Sequence, residues 1–138
     1  RADLPGLVVN RPDGEERRLP LPQLESLGTW EVAAPAPWDE PAARFSGPLL
    51  RDVLQAAGLE DAPWITVRAL DGYATRIPRA DWEDYPVILA TRRDGKPMGR
   101  RQKGPTRIVY PAMLHPELRN RQHEARWVWL VAAIEAPS

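Results

Sequence analysis

Phe45-Ser46-Gly47-Pro48-Leu49-Leu50-Arg51-Asp52-Val53-Leu54-Gln55-Ala56-Ala57-Gly58 is the stretch of this chain that reads as a helix at both of its ends. Ser46 has a side chain able to cap an N-terminus, Pro48 has the fixed φ that suits a first turn, and Gly58 can take the left-handed conformation that closes a C-terminus. Between these signals Leu49, Leu50, Val53, Leu54 and Ala57 recur at helical spacing. Such residues form one apolar stripe, which has to be buried against another element. The remainder of the sequence predicts that this element is a sheet.

Three Asp-Gly pairs punctuate the chain outside the helix, at Asp13-Gly14, Asp71-Gly72 and Asp94-Gly95. The dipeptide supplies the positive φ angles of a two-residue hairpin turn. The first pair separates Leu7-Val8-Val9-Asn10 from Arg17-Arg18-Leu19, the second separates Ile65 to Leu70 from Tyr73 to Ile77, and the third follows Val87 to Thr91. Sixteen prolines cut the chain into short elements and argue against long helices. Short helical turns are predicted at Arg79 to Asp84, after Pro78, and at Pro116 to Glu124. An aromatic strand is predicted from Arg126 to Ile134, with Trp127 and Trp129 on one face and Val128 and Leu130 on the other. Pro35 to Ala43 reads as a loop. No internal repeat, low-complexity tract or linker divides the 138 residues. One domain, 1–138, built on a mixed sheet with hairpins and a few short helices, is therefore expected.

A domain of this length removes about two-thirds of its extended-chain surface from water, enough for a real core. Nineteen basic and nineteen acidic side chains give a formal net charge of zero. There is thus no whole-chain electrostatic case for nucleic acid or for an anionic membrane. No stretch approaches the roughly 18 consecutive apolar residues that span a bilayer, so no direct membrane insertion is expected. Arg1 in the first position fits a processed end, such as removal of an export signal leaves. Cysteine is absent, which removes disulfides and thiolate metal ligands and is compatible with cytosol and periplasm alike.

The chain has no Gly-x-Gly-x-x-Gly, no Walker loop and no Gly-x-Ser-x-Gly elbow. His115 and His123 lie eight positions apart, without the spacing that places two ligands on one helix face. Ser46 is accounted for as a cap, and Asp81, Glu83 and Asp84 as a solvated acidic turn. A basic run, from Arg92 and Arg93 through Lys96, Arg100, Arg101, Lys103 and Arg107, surrounds a loop rich in Gly and Pro that could receive an anionic or carbonyl-bearing ligand. Its alternative is a charged, solvent-facing hairpin tip. Six tryptophans are many for this length. A planar heteroaromatic ring would find stacking partners on the Trp127 and Trp129 strand or at Tyr73, Tyr110 and Trp38.

Phe45 to Leu54, Ala69-Leu70-Asp71-Gly72-Tyr73 with Ile77-Pro78, Ile88-Leu89-Ala90, Asp94 to Met98, Lys103-Gly104-Pro105, Val109-Tyr110-Pro111 and Arg126-Trp127-Val128-Trp129 occur in an order and spacing that carry a family likeness. The chain resembles the small stand-alone members of the oxidoreductase molybdopterin-binding domain family. The resemblance implies an α+β fold of the sulfite oxidase type. The larger enzymes of that family hold molybdenum by a cysteine thiolate, and counting back from Trp38 puts the equivalent position near Ala34. A carboxylate such as Glu31 or Asp39 would be a hard-oxygen substitute. The resemblance is closest to cysteine-less periplasmic members that bind a free reduced pterin and signal to a membrane partner controlling cyclic-di-GMP. It implies a pterin cofactor without molybdenum, no catalytic residues, a periplasmic or secreted location and the external domain of a membrane protein as partner. A molybdopterin-dependent oxidoreductase with atypical metal ligation is the alternative, and an interaction domain with a decayed pocket a third.

A pterin ring requires an acceptor for its amino edge, a stacking aromatic and a donor for its oxygens. The candidates are Asp71 or a nearby backbone carbonyl for the edge, Tyr73, Tyr110 and Trp129 for stacking, and Lys103, Arg107 and Arg126 for the oxygens.

Overall fold

The computed structural model describes residues 6–34 and 43–137. Trp38 and Asp39, and all of the predicted loop except Ala43, lie outside the described residues.

Eleven strands and four short helices follow one another among these residues: β1 (Gly6–Asn10), β2 (Glu16–Pro20), α1 (Leu21–Glu25), β3 (Trp30–Ala34), β4 (Ala43–Gly47), α2 (Leu50–Ala57), β5 (Trp64–Ala69), β6 (Ala74–Pro78), α3 (Arg79–Asp84), β7 (Ile88–Ala90), β8 (Arg92–Arg93), β9 (Lys96–Pro97), β10 (Arg107–Val109), α4 (Arg121–Glu124) and β11 (Val131–Glu135). They make a mixed five-stranded sheet in the order β2-β1-β11-β5-β6, a four-stranded sheet β3-β4-β8-β9 and the pair β10-β7. Within the large sheet β1 and β11 run parallel and the other pairs antiparallel. Alternation buries Leu7 and Val9 of β1 and Ile65, Val67 and Ala69 of β5 on one face.

Helix α2 buries Leu50, Val53, Leu54 and Ala57 and ends on Gly58 at φ 78°, as its spacing and C-terminal glycine predict. Each fully buried leucine or valine contributes about 1.5–3 kcal/mol. Its start differs from the expectation. Ser46 is not a cap but a strand residue of β4, paired with Glu31 and Arg92. The extended Leu49 precedes the helix without any side-chain cap, and the Leu50 N–H donates instead to the Val87 carbonyl at 2.8 Å. A neighbouring strand end does the work assigned to a hydroxyl.

The three Asp-Gly hairpins form, but only one is of the expected two-residue kind. Asp94 and Gly95 both have positive φ, 51° and 81°, and join β8 directly to β9. At the other two, Gly14 and Gly72 donate three residues back, to Arg11 and Ala69, and only the glycine is left-handed. These are three-residue loops, a turn followed by a glycine bulge. In each, the aspartate carboxylate accepts the N–H two residues on, Glu15 and Tyr73 respectively.

The C-terminal region departs most. Pro116 to Glu124 is split into a single 3₁₀ turn, Pro116–Leu118, and the one-turn helix α4, whose N-terminus is capped by Asn120. The strand expected from Arg126 begins at Val131. Leu130 adopts φ 55°, and the preceding residues bond outside the large sheet: the Ile108 N–H of β10 donates to the Val128 carbonyl at 2.7 Å and the Leu130 N–H to the Lys103 carbonyl at 2.8 Å. Trp127 and Trp129 thus precede the strand, and strand alternation does not set their directions. No helix among the described residues is long and apolar enough to cross a membrane.

Candidate functional site

The β5–β6 turn and the segment around α4 enclose a cleft of about 460 Å³ lined by Asp71, Tyr73, Arg121, Glu124, Ala125, Trp127 and Trp129. That volume lies in the range of small-molecule sites, about 300–1,000 Å³. The turn's shape explains Asp71: one carboxylate oxygen accepts from Tyr73 N–H at 3.1 Å and holds the loop. The Tyr73 hydroxyl then spans to the α4 end, donating to the Ala125 carbonyl at 2.6 Å. Two chain segments more than fifty residues apart are thereby tied across the cleft.

Behind the cleft lies a buried polar cluster. Asp81, 5% exposed, accepts on one oxygen from the Tyr110 hydroxyl at 2.7 Å and from Arg126 Nη1 at 2.8 Å. His123 Nε2 lies 3.9 Å from its other oxygen. The Asn120 carboxamide oxygen accepts from His123 N–H and lies 3.0 Å from Nδ1, which assigns that ring nitrogen as a donor. Burial of Tyr110, reinforced by the Asp81 charge, pushes its phenol well above the ordinary tyrosine range. The solvated acidic turn expected at 81–84 is thus corrected at its first member: α3 turns Asp81 and Trp82 inward and leaves Glu83 and Asp84 outside.

The third group surrounds Trp129. Lys103 Nζ lies 4.5 Å from its ring centroid and the Arg107 guanidinium 5.9 Å. Arg107 is buried, 2% exposed, with its guanidinium 4.8 Å from the Phe45 centroid and Nη1 donating to the Gln102 carbonyl at 3.4 Å. The basic run is not one convergent loop, since Arg92 is engaged by Glu25 at 2.9 Å on the other side of its hairpin.

The seven candidates therefore divide. Asp71, Tyr73 and Trp129 line the cleft, while Lys103 and Arg107 stand against Trp129. Tyr110 and Arg126 are spent on Asp81, and Tyr110 has no exposed ring face for stacking. Sequence reasoning missed Arg121 and Glu124 as cleft residues, and named Trp127 only among the general stacking partners. The polar helix before an aromatic pair was their signal, and the supposed strand obscured it.

A pterin ring fits this chemistry: aromatic walls at Tyr73, Trp127 and Trp129, carboxylates at Asp71 and Glu124, and a guanidinium at Arg121. A molybdenum centre held by a protein thiolate does not fit, because the chain contains no cysteine. No group of three or more potential metal ligands occurs among the described residues.

Comparison with known proteins bears on the fold and the family. The model of the oxidoreductase molybdopterin-binding domain matches residues 24–116, about two-thirds of the chain. Among solved structures, the sulfane dehydrogenase SoxCD from Paracoccus pantotrophus superposes with a TM-score of 0.71 at 16% identity, over 96% of this chain and 38% of that one. This likeness shows a sulfite oxidase-type fold, and the chain spans well under half of the dehydrogenase's length. No curated protein sequence matches. With the family model covering most of its length, the chain belongs to the oxidoreductase molybdopterin-binding domain family.

Proposed function

We propose that this chain is a non-catalytic pterin receptor, which binds a reduced pterin in the cleft and reports its presence to a membrane partner such as a cyclic-di-GMP enzyme, from the periplasm. The observation that carries the reading is the pairing of a cleft walled by Tyr73, Trp127 and Trp129 with a chain that has no thiolate to hold a metal. The family's ligand is a pterin-type cofactor, which supports ring recognition by this chain, and the absence of cysteine removes a protein thiolate as metal ligand.

When bound, the pterin would supply a redox-active ring. The chain's own residues bind and orient it. Tyr73 and Trp129 offer ring faces, while Trp127 is buried and stacked on Tyr110. Glu124 and the Asp71 oxygen not used by the turn accept N–H groups, and Arg121 donates to oxygen. Lys103 reaches Trp129 from outside the cleft lining and adds positive potential at that end. A receptor acts by its ligand's differential affinity for two forms of the protein, and a tenfold effect on a partner needs about 1.4 kcal/mol of coupling.

Metal analysis and pterin titration of protein from a cofactor-competent host test this reading. The expected result is substoichiometric molybdenum with saturable pterin binding. Near one molybdenum per chain would instead establish the oxidoreductase with atypical ligation, and neither ligand would leave an interaction domain.

A further inference from the structure

We infer that Glu124 reads the amino edge of the ligand ring and Arg121 its carbonyl oxygen, so that the cleft accepts a 2-amino-4-oxo pteridine and rejects a 2,4-dioxo one. The inference rests on the cleft being a pterin site and names the residues that set its selectivity.

The groups around the cleft are mostly committed to the protein. The Tyr73 hydroxyl holds Ala125, one Asp71 oxygen holds the β5–β6 turn, Asn120 caps α4 and Arg126 is paired with Asp81. Arg121 and Glu124 are different. Both line the cleft, and neither side chain makes a hydrogen bond or ion pair with a described residue. They stand three positions apart on α4, which puts them on one helix face and within reach of each other, yet they do not pair. The half-buried Glu124 carboxylate and the exposed Arg121 guanidinium line the cleft with three aromatic side chains and offer a flat ligand one acceptor and one donor group. Both also lie beyond residue 116, outside the stretch that the family model matches.

The chemistry then chooses the ring. A 2-amino-4-oxo ring offers two adjacent donors, the ring N–H and the amino N–H, which meet two carboxylate oxygens in parallel. Replacing the amino group by a carbonyl turns one donor into an acceptor facing the carboxylate, leaving two unpaired lone-pair groups against each other. A glutamine at 124 would reverse the preference, because its amide offers one donor and one acceptor, the complement of the dioxo edge.

The test is a calorimetric titration of the wild type and Glu124→Gln with a reduced pterin and with the matching 2,4-dioxo pteridine. Wild type should prefer the 2-amino ring by at least about tenfold, and the preference should fall by about 10- to 100-fold in the variant. An equal preference in both proteins overturns the assignment while leaving the pterin reading in place. If wild type binds neither ring, the pterin reading falls and this inference with it. A 2-dimethylamino pterin keeps the ring, lacks the amino donors and needs no variant. It should bind wild type at least about tenfold more weakly than the parent, and equal binding overturns the role of Glu124.

Discussion

Asp81 carries two hydrogen bonds on a single buried oxygen, and its partners Tyr110 and Arg126 come from segments far along the chain. Removing Arg126 leaves a buried carboxylate without its counter-charge, so Arg126→Ala should destabilise the fold by about 3–5 kcal/mol in denaturant unfolding. Joint replacement, Asp81→Leu with Arg126→Met, should cost clearly less than the sum of the single changes. Additive losses would mean that the pair is not coupled. Tyr110 adds a pH dependence whose sign follows from its raised pKa. The unfolded chain loses the phenolic proton first, so the contribution is complete below the ordinary tyrosine value of about 10 and is lost as the pH rises above it. Tyr110→Phe should flatten that alkaline decline. Tyr110 was legible as an aromatic for stacking and Arg126 as a donor to ligand oxygens, but their duty toward Asp81 was not. Asp81 was misread because three acidic residues in four look solvated until the helical turn that separates them is known.

At the scale of elements, what could be read locally was read well. Helix α2 is specified by its own spacing and by Gly58, and the hairpins by their Asp-Gly pairs. What failed depended on distant backbone. The start of α2 is bonded by Val87, and the segment before β11 is held by Lys103 and Ile108, so neither could be seen in a local window. Gly47 shows how tightly such elements meet. A Cβ there would sit inside the Leu89 carbonyl oxygen and 3.0 Å from Ala90 Cα, both of them backbone. Gly47→Ala should therefore cost about 1–3 kcal/mol or more by forcing β4 away from β7. An unchanged unfolding midpoint would show that the two strands separate freely. By contrast, the Glu25–Arg92 pair joining α1 to β8 is half-exposed and worth less than about 1 kcal/mol, although the Arg92 hydrogen bond lowers the Glu25 pKa.

For the molecule as a whole, the sulfite oxidase-type architecture was legible through the order of its blocks, whereas periodicity alone indicated no more than a mixed sheet. The cleft is a product of that architecture, assembled from a turn near residue 72 and a helix near residue 122. Its walls include two of the chain's six tryptophans, Trp127 and Trp129, while Trp30, Trp64 and Trp82 line none of it. Indole emission overlaps the absorption of an oxidised, fully aromatic pteridine ring, so such a ring seated beside Tyr73 and these two side chains would drain their excited states by energy transfer. An oxidised pterin would then act as an optical gauge of occupancy. Pterin titration should quench part of the tryptophan emission in proportion to binding, and Trp129→Phe should reduce the quenched fraction while sparing the remainder. A loss of quenching confined to Trp30→Phe would place the ligand elsewhere on the surface.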